Sequence, residues 1–327
     1  MAKEINKVLV VGAGTMGAGI AQVFAASGFK TTMADLKPEF IARAYENIGK
    51  NIAGMKEEGL ADDSYEKTVK ENLDDVLNEG IPQIAKEFDL VIEVVPENKD
   101  IKKATYQMLS DSCREDCIFA SNTSGMDVFS LTDGVLKNPE RLLITHWFNP
   151  PHLMKIIEVV KGPKTSDEAA QAVREALEKC GKKPAVLNKF MPGFIVNRMA
   201  TCICRELYYM IQQGWVSPQD AENALKYTDG LRWSFEGPLE LWDFVGLGIT
   251  LTVADDVIPT LCNDGEVFPL KKEMMESGKT GLRAGEGMLK KYDTDPAAID
   301  AYIKKRNRRI LTMYKVMNRF EEEDAQG

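Results

Sequence analysis

Histidine is scarce in this chain, and that scarcity narrows the search for a catalytic base. Only two of the 327 residues are histidines, His146 and His152. Six cysteines are present, but none belongs to a Cys-x-x-Cys pair, and Cys113 and Cys117 have no second pair or histidine at ligand spacing. We therefore expect no metal centre, and we expect reduced thiols of the kind found in cytoplasmic proteins.

Long apolar runs and an excess of basic residues are also missing. No apolar run approaches the roughly 18 residues that span a bilayer, and the N-terminal residues lead straight into a predicted strand. We therefore expect neither a membrane segment nor a signal peptide. Acidic residues outnumber Lys and Arg by 50 to 41, which gives a net charge of −9 and a pI near 5.1. Because nucleic acid binding needs a basic surface, a small molecule is the expected partner.

The first 190 residues alternate short apolar runs with helix-favouring stretches. The long polar stretch over 38–80 belongs to the helix-favouring class. Such alternation predicts an α/β fold, a doubly wound Rossmann-type domain with a mostly parallel sheet and helices on both faces. The predicted strands lie at 8–11, 31–34, 90–95, 118–121, 142–146, 155–160 and 184–187.

Beyond that region the pattern becomes helical. Apolar residues recur at helical spacing over 194–213, Ser217 is a typical N-cap before a proline, and about 296–321 reads as a polar amphipathic helix. No strand pattern of similar strength returns. The sequence therefore predicts a nucleotide-binding domain over 1–190 and an all-α domain over 191–327 that contributes to substrate binding and dimerisation.

A glycine-rich turn joins the first predicted strand to the first predicted helix. Gly12 permits the tight turn, Gly14 lets a pyrophosphate approach the backbone, and Gly17 lets helix and strand pack closely. The helix N-terminus then faces the phosphates with free N–H groups and a positive dipole end. Asp35 ends the next strand, where a carboxylate binds the ribose hydroxyls of NAD and repels a 2′-phosphate. The predicted NAD contacts here are Gly12, Gly14, Thr15, Met16, Gly17 and Asp35.

Both histidines lie in one run, from Thr145 to Glu158. The carboxylate of Glu158 follows His146 after twelve residues, which supplies a general base and an acid to orient it. A histidine by itself is more often structural than catalytic. His152 follows two prolines and is interpreted as part of a loop or rim, and Trp147 as a packing residue.

Several motifs together resemble the L-3-hydroxyacyl-CoA dehydrogenase family. The resemblance covers about residues 5–292 and is far more specific than the glycine turn alone. In chain order the motifs are Pro96-Glu-Asn98, Ser121-Asn-Thr-Ser124, His146-Trp-Phe-Asn-Pro-Pro151, Glu158-Val-Val160, Pro192-Gly-Phe-Ile-Val-Asn197-Arg198 and Gly237-Pro-Leu-Glu-Leu-Trp-Asp-Phe-Val-Gly246.

The resemblance implies NAD-dependent oxidation of an L-3-hydroxyacyl-CoA to the 3-oxoacyl-CoA. His146 would take the hydroxyl proton as hydride leaves the adjacent carbon, and Glu158 would fix the tautomer and stabilise the charged ring. Ser124 would hydrogen-bond the substrate oxygen, and Asn197 would help polarise the carbonyl from the helical domain. The active site would then lie between the two domains.

The same matching implies further contacts with the cofactor. Glu97, Lys102 and Asn149 would lie along the nicotinamide half of NAD, and Arg283 takes the place of a lysine that would approach NAD. A homodimer formed through the helical domain is also implied, and that domain has many apolar faces for its size.

The substrate is less firmly indicated than the reaction. Family members offer a serine and lysines to the CoA phosphates, whereas here Asn51 stands for the serine and Glu58 for a lysine, with Lys56 nearby. The chain also continues some 35 residues past Tyr292, where acyl-CoA enzymes commonly end. These departures weaken or rearrange the expected CoA contact.

A second branch of the family is therefore an alternative. Residues 230–240 are similar to the free-acid dehydrogenases that include lambda-crystallin, L-gulonate 3-dehydrogenase and carnitine dehydrogenase. Arg232 would there form a forked pair with a substrate carboxylate, although an ordinary ion pair is the simpler interpretation of that arginine. The runs 146–149 and 281–287 instead resemble the acyl-CoA branch. A non-catalytic NAD-binding protein is the third hypothesis.

Overall fold

The structure is a computed structural model that describes residues 4–266 and 268–324. The chain divides into two compact units, of which the first ends at Val196 and the second begins at Asn197. The boundary after residue 190 stays a prediction. Each unit is described by itself below.

The first unit is built on one eight-stranded sheet. Its strand order is β3-β2-β1-β4-β5-β6-β7-β8, and all neighbours are parallel except the antiparallel pair of β6 and β7. The predicted α/β class and mostly parallel sheet are thus confirmed. The strands are β1 Lys7–Val11, β2 Lys30–Asp35, β3 Leu73–Leu77, β4 Leu90–Glu93, β5 Ile118–Ser121, β6 Leu142–Trp147, β7 Ile156–Lys161 and β8 Lys183–Leu187.

Helices cover both faces of this sheet. Alternate residues of β1 point to opposite faces, so Val8 and Val10 join one buried apolar cluster while Leu9 and Val11 join the other. The helices are α1 Thr15–Ala26, α2 Pro38–Glu57, α3 Asp63–Asn72, α4 Ile81–Ile84, α5 Lys99–Ser112, α6 Val128–Leu131 and α7 Asp167–Lys179, with 3₁₀ turns at Asn78–Gly80, Ala85–Glu87 and Pro139–Arg141.

Strand β3 corrects the expectation that the whole stretch 38–80 is helical. It forms the edge of the sheet and pairs only with β2. Its sequence, Leu-Asp-Asp-Val-Leu, places two exposed aspartates between apolar residues. Because an edge strand buries little surface, it lacks the apolar run that revealed the central strands.

The second unit is helical, as expected. In its described ranges, 197–266 and 268–324, β-pairing is limited to isolated bridges of Glu286 with Gly281 and Lys291. No helix in the described part of the chain is long and apolar enough to cross a membrane. The helices are α8 Val196–Gln212, α9 Pro218–Lys226, α10 Asp229–Arg232, α11 Pro238–Val245, α12 Leu247–Val257, α13 Pro269–Glu276 and α14 Pro296–Asp324, with 3₁₀ turns at Ile258–Thr260 and Leu282–Ala284.

Helix α8 begins two residues later than its sequence pattern indicates. Gly193 and Phe194 both have positive φ angles, 77° and 47°, so the backbone leaves the helical region just before Val196. At the next helix the prediction is confirmed, since the Ser217 side chain accepts a hydrogen bond from the Asp220 N–H.

Candidate functional site

The carboxyl ends of the parallel strands bring most of the predicted site residues of the first unit to one edge of the sheet. Gly12 follows β1, Asp35 ends β2, Ser124 follows β5 and His146 lies near the end of β6. In open α/β sheets this edge is where ligands bind, because loops and helix N-termini converge there.

His146 and Glu158 form a buried hydrogen-bonded pair. They lie directly opposite each other on the antiparallel strands β6 and β7, so their side chains share one face of the sheet. The His146 Nδ1 is 2.7 Å from Glu158 Oε2, and the two side chains are 5% and 0% exposed. The other ring nitrogen, Nε2, takes no part in this hydrogen bond.

The second oxygen of Glu158 is bound by the backbone. Oε1 accepts hydrogen bonds from the N–H groups of Ile195 and Val196, at 2.7 and 2.8 Å. Burial raises the pKa of Glu158, but the hydrogen bonds from His146, Val196 and Ile195 outweigh it and hold that pKa below its ordinary value. Glu158 is therefore an ionised carboxylate, which accepts a hydrogen bond from the Nδ1–H of His146.

Two aromatic rings flank the imidazole, and neither was predicted from the sequence as a site residue. The centroid of the His146 ring is 4.5 Å from that of Phe148 and 5.3 Å from that of Phe194. Phe194 is fully buried and keeps a positive φ of 47°, a costly conformation for an aromatic residue that is found mainly at functional sites. The available signal was the Pro192-Gly193 pair, which marks a turn immediately before it.

The three glycines of the turn differ in their surroundings: Gly12 and Gly17 are tightly packed, whereas Gly14 faces open space. A Cβ at Gly12 would lie 2.6 Å from the Val94 carbonyl oxygen, and one at Gly17 would lie 1.7 Å from the Gly12 carbonyl oxygen. By contrast, a Cβ at Gly14 would meet no described atom within 4 Å. Gly14 is the N-cap of α1, and none of the described side chains caps this helix. Open space beside uncapped amides fits a bound pyrophosphate.

Asp35 holds the same turn from the neighbouring strand. Its Oδ2 accepts a hydrogen bond from the Ala13 N–H at 2.7 Å, and its Oδ1 accepts one from the Leu36 N–H at 2.6 Å. Each carboxylate oxygen retains a further lone pair. The residue is only partly buried, so it can also accept hydrogen bonds from ribose hydroxyls.

Glu97 and Ser124 lie together beyond β4 and β5. The Glu97 Oε1 accepts a hydrogen bond from the Ser124 N–H at 3.0 Å, which leaves the exposed Ser124 hydroxyl available to a ligand. Asn149 is exposed on the loop after β6. Lys102 differs from these residues because its side chain is only 1% exposed and its ammonium is 2.7 Å from Glu93 Oε1.

The residues expected near a CoA phosphate are engaged within the first unit. The Asn51 amide donates to the Gln22 side-chain oxygen at 3.0 Å. The Lys56 ammonium lies 2.6 Å from both Asp63 and Glu66, so its charge is already compensated by two carboxylates. This geometry offers a CoA phosphate less positive charge than a free lysine would.

Three predicted site residues belong to the second unit. Asn197 immediately follows Val196, whose N–H binds Glu158. The Arg232 guanidinium donates to Asp229 at 2.7 Å, and its Nε has no hydrogen-bond partner among the described residues. The ion pair with Asp229 therefore leaves one buried donor of Arg232, its Nε, without a partner among the described residues. Arg283 is exposed on the 3₁₀ turn Leu282–Ala284.

His152, the second histidine, differs from His146 in its surroundings. Burial keeps its side chain neutral. Its Nδ1 is buried without a partner in the described part of the chain. Burial, with the nearby charge of Lys182, lowers the pKa of His152 to about 4. The Lys182 ammonium in turn donates to the Pro151 and Met154 carbonyls at 2.7 and 2.9 Å. Trp147 is 2% exposed, as expected of a packing residue.

His152 is expected to make the protein acid-sensitive. Its folded-state pKa of about 4 lies below the ordinary value, so the unfolded chain binds the proton first as pH falls. Stability is therefore complete above the unfolded pKa and is lost as pH falls toward the folded one, by about 2 kcal/mol between pH 7 and pH 5. Urea denaturation at both pH values measures this loss. His152→Gln should lose less stability over the same interval, and an equal loss in both proteins would contradict the assignment.

Two family models match the chain. The one described as 3-hydroxyacyl-CoA dehydrogenase, NAD binding domain, matches residues 7–190, and the one described as 3-hydroxyacyl-CoA dehydrogenase, C-terminal domain, matches residues 193–291. A probable 3-hydroxybutyryl-CoA dehydrogenase from Deinococcus radiodurans is 35% identical over 86% of this chain and 98% of its own length.

Another relative extends further along the chain. The 5-formyl-3-hydroxy-2-methylpyridine 4-carboxylate 5-dehydrogenase of Mesorhizobium japonicum is 30% identical over 96% of this chain and 98% of its own. A crystal structure of an enzyme of that name, described as an NAD⁺-dependent dismutase, matches with a TM-score of 0.85 at 29% identity, covering 96% of this chain and 99% of that one. An (S)-3-hydroxybutyryl-CoA dehydrogenase from Ralstonia eutropha matches with a TM-score of 0.74 at 28% identity, covering 89% and 100%.

These matches confirm the family, the fold and the cofactor that the sequence motifs predicted. The protein is an NAD-dependent oxidoreductase acting on CH–OH donors. The chain belongs to the 3-hydroxyacyl-CoA dehydrogenase family.

Proposed function

We propose that the protein interconverts an L-3-hydroxyacyl-CoA and the corresponding 3-oxoacyl-CoA, with His146 and Glu158 as its acid–base pair. The observation that carries the reaction is the buried 2.7 Å hydrogen bond between these two side chains. His146 takes the hydroxyl proton, and the ionised Glu158 stabilises the imidazolium that forms. Bound NAD supplies the hydride acceptor.

The remaining site residues bind and orient. The Ser124 hydroxyl hydrogen-bonds the substrate oxygen, and its backbone N–H is fixed by Glu97. The turn at Gly14 and the N-terminus of α1 hold the pyrophosphate, and Asp35 binds the ribose of the adenosine half. Asn149 and Arg283 contact the cofactor, and Asn197 polarises the carbonyl.

A second candidate substrate is a small hydroxy acid or aldehyde that carries a free carboxylate. Three observations favour it. The charge of Lys56 is balanced by Asp63 and Glu66, and the buried Nε of Arg232 has no hydrogen-bond partner among the described residues. The pyridine carboxylate dehydrogenase aligns over 96% of the chain. Arg232 would then hold the carboxylate in a forked pair.

One experiment separates the two substrate classes. NADH formation is measured with 3-hydroxybutyryl-CoA and with a panel of hydroxy acids that lack CoA, using the wild type and Arg232→Ala. The first proposal requires turnover of the CoA ester with little change in KM in the variant. Turnover of free acids alone, with KM raised at least tenfold by Arg232→Ala, replaces it with the second.

We also propose that the protein is a homodimer through α11 and α12. No residue of α12 is buried within the chain, and apolar side chains are exposed over both helices. A helix that is apolar on more than one face is normally covered by other protein. The most exposed are Leu239 at 72%, Phe244 at 83%, Leu247 at 65%, Ile249 at 63% and Leu251 at 61%.

Sedimentation velocity tests this interface. The wild type is expected to sediment as a dimer and Leu251→Glu as a monomer, because a buried unpaired carboxylate is costly. Ile101→Glu is the matched control, since Ile101 is an exposed apolar residue of α5 and its replacement should leave the dimer intact. A monomeric wild type, or a dimer that survives Leu251→Glu, contradicts the assignment.

A further inference from the structure

A buried ionic cluster lies beneath the candidate site, and the proposed mechanism assigns it no role. Its members are Glu93 at the end of β4, Lys102 and Tyr106 on α5, and Ser121 at the end of β5. All four are at most 1% exposed. Burying a carboxylate and an ammonium costs several kcal/mol per ion before pairing. The contacts within the cluster must therefore offset this cost.

Glu93 is fully satisfied by its neighbours. Its Oε1 accepts hydrogen bonds from the Val95 N–H at 2.9 Å and the Lys102 ammonium at 2.7 Å. Its Oε2 accepts from the Ser121 hydroxyl at 2.7 Å and the Tyr106 hydroxyl at 3.2 Å. Burial and the charge of Glu93 raise the pKa of Tyr106 well above its ordinary value, so that phenol stays a donor.

The Lys102 ammonium has three N–H donors, and its hydrogen bond to Glu93 uses only one of them. The ammonium also lies 3.4 Å from the Val95 carbonyl oxygen and 3.6 Å from Glu97 Oε2. Glu97 is different in kind from Glu93, because its side chain is 48% exposed. One buried ammonium is therefore shared between a sealed carboxylate and one that reaches the surface at the site.

Glu97 contacts Lys102 and Ser124 at the same time, through its two carboxylate oxygens. While Oε2 faces Lys102, Oε1 accepts the Ser124 N–H at 3.0 Å. The hydrogen bonds and ion pairs thus run from Tyr106 and Ser121 through Glu93, Lys102 and Glu97 to the backbone of Ser124. They tie together the loops that follow β4 and β5, and Ser124 carries the hydroxyl assigned to the substrate.

We propose that Lys102 is a positioning residue that acts through Glu97. Glu93 fixes the ammonium, the ammonium fixes the Glu97 carboxylate, and that carboxylate fixes Ser124. Without the ammonium, the half-exposed Glu97 would turn toward water and release the Ser124 N–H. The inference rests on the proposed roles of Glu97 and Ser124 at the site, and it applies to either substrate class.

The test needs a variant that removes the ammonium without stranding a buried charge. Glu93→Gln combined with Lys102→Met replaces the pair by neutral side chains of similar volume. Lys103→Met is the matched control, because Lys103 is the neighbouring residue of α5 and is exposed. We expect the double variant to lower kcat and to raise the Kd for NADH, each about tenfold or more, and Lys103→Met to change neither.

A double-mutant cycle with Glu97→Ala then shows whether Lys102 acts through Glu97. The proposal requires Glu97→Ala to impair the wild type by at least the same factor and to add little in the Glu93→Gln/Lys102→Met background. Additive losses, or a double variant with wild-type kcat and Kd, overturn it. If the double variant does not fold, a Glu97→Ala protein with wild-type kcat and Kd overturns it equally. NADH fluorescence reports the Kd without any substrate, so failure to turn over acyl-CoA would count against the proposed function alone.

Discussion

His146→Gln is expected to lower kcat by roughly three orders of magnitude while leaving the Kd for NADH near the wild-type value. Glutamine fills a similar volume and can donate to Glu158, so the buried carboxylate keeps its partner. What it lacks is a nitrogen that accepts a proton at neutral pH. The loss should therefore appear in kcat, measured under saturating substrate, and not in cofactor binding.

The chain supplies its own control for this variant. His152→Gln removes the only other histidine, which burial holds neutral and whose assigned role is structural. At pH 7.5 it should retain kcat within a factor of about two to three. If His146→Gln kept kcat within tenfold of the wild type, the general-base assignment would be wrong and the protein would need another proton acceptor.

The pairing of His146 with Glu158 could be predicted from the sequence, but its geometry could not. The twelve-residue spacing of His146 and Glu158 fits many arrangements. The structure shows that β7 turns back antiparallel to β6 and sets these two residues in register, whereas all the other strand pairs described are parallel. Neither strand carries a local signal of that reversal, since both read as short buried apolar runs.

Residues whose role depends on burial were the least predictable. Lys102 occurs in a polar helical segment and is predicted from the family resemblance to contact NAD, but its burial beside Glu93 was not predicted. Asn51 likewise reads as a ligand residue but is bonded to Gln22 on α1. In both cases the partner is distant in sequence, and only the tertiary fold brings it within reach. Local patterns predicted the strands of the sheet, apart from the edge strand β3.

Glu158→Gln should be almost as damaging as removing the base itself, even though every neighbouring atom stays in place. The N–H groups of Ile195 and Val196 both point at Oε1 and need an oxygen there. The substituted amide must therefore present its NH₂ group to His146 Nδ1. That nitrogen then becomes an acceptor, the ring proton moves to Nε2, and no lone pair faces the substrate hydroxyl.

We expect this tautomer change to lower kcat by about 10³-fold or more, with a thermal midpoint close to that of the wild type because all three hydrogen bonds persist. Because the two residues act as a unit, adding His146→Gln should cost little beyond either single variant. Glu178→Gln, at an exposed glutamate of α7, is the matched control and should be neutral. A Glu158→Gln enzyme with kcat within tenfold of the wild type would show that the carboxylate does not set the tautomer of His146.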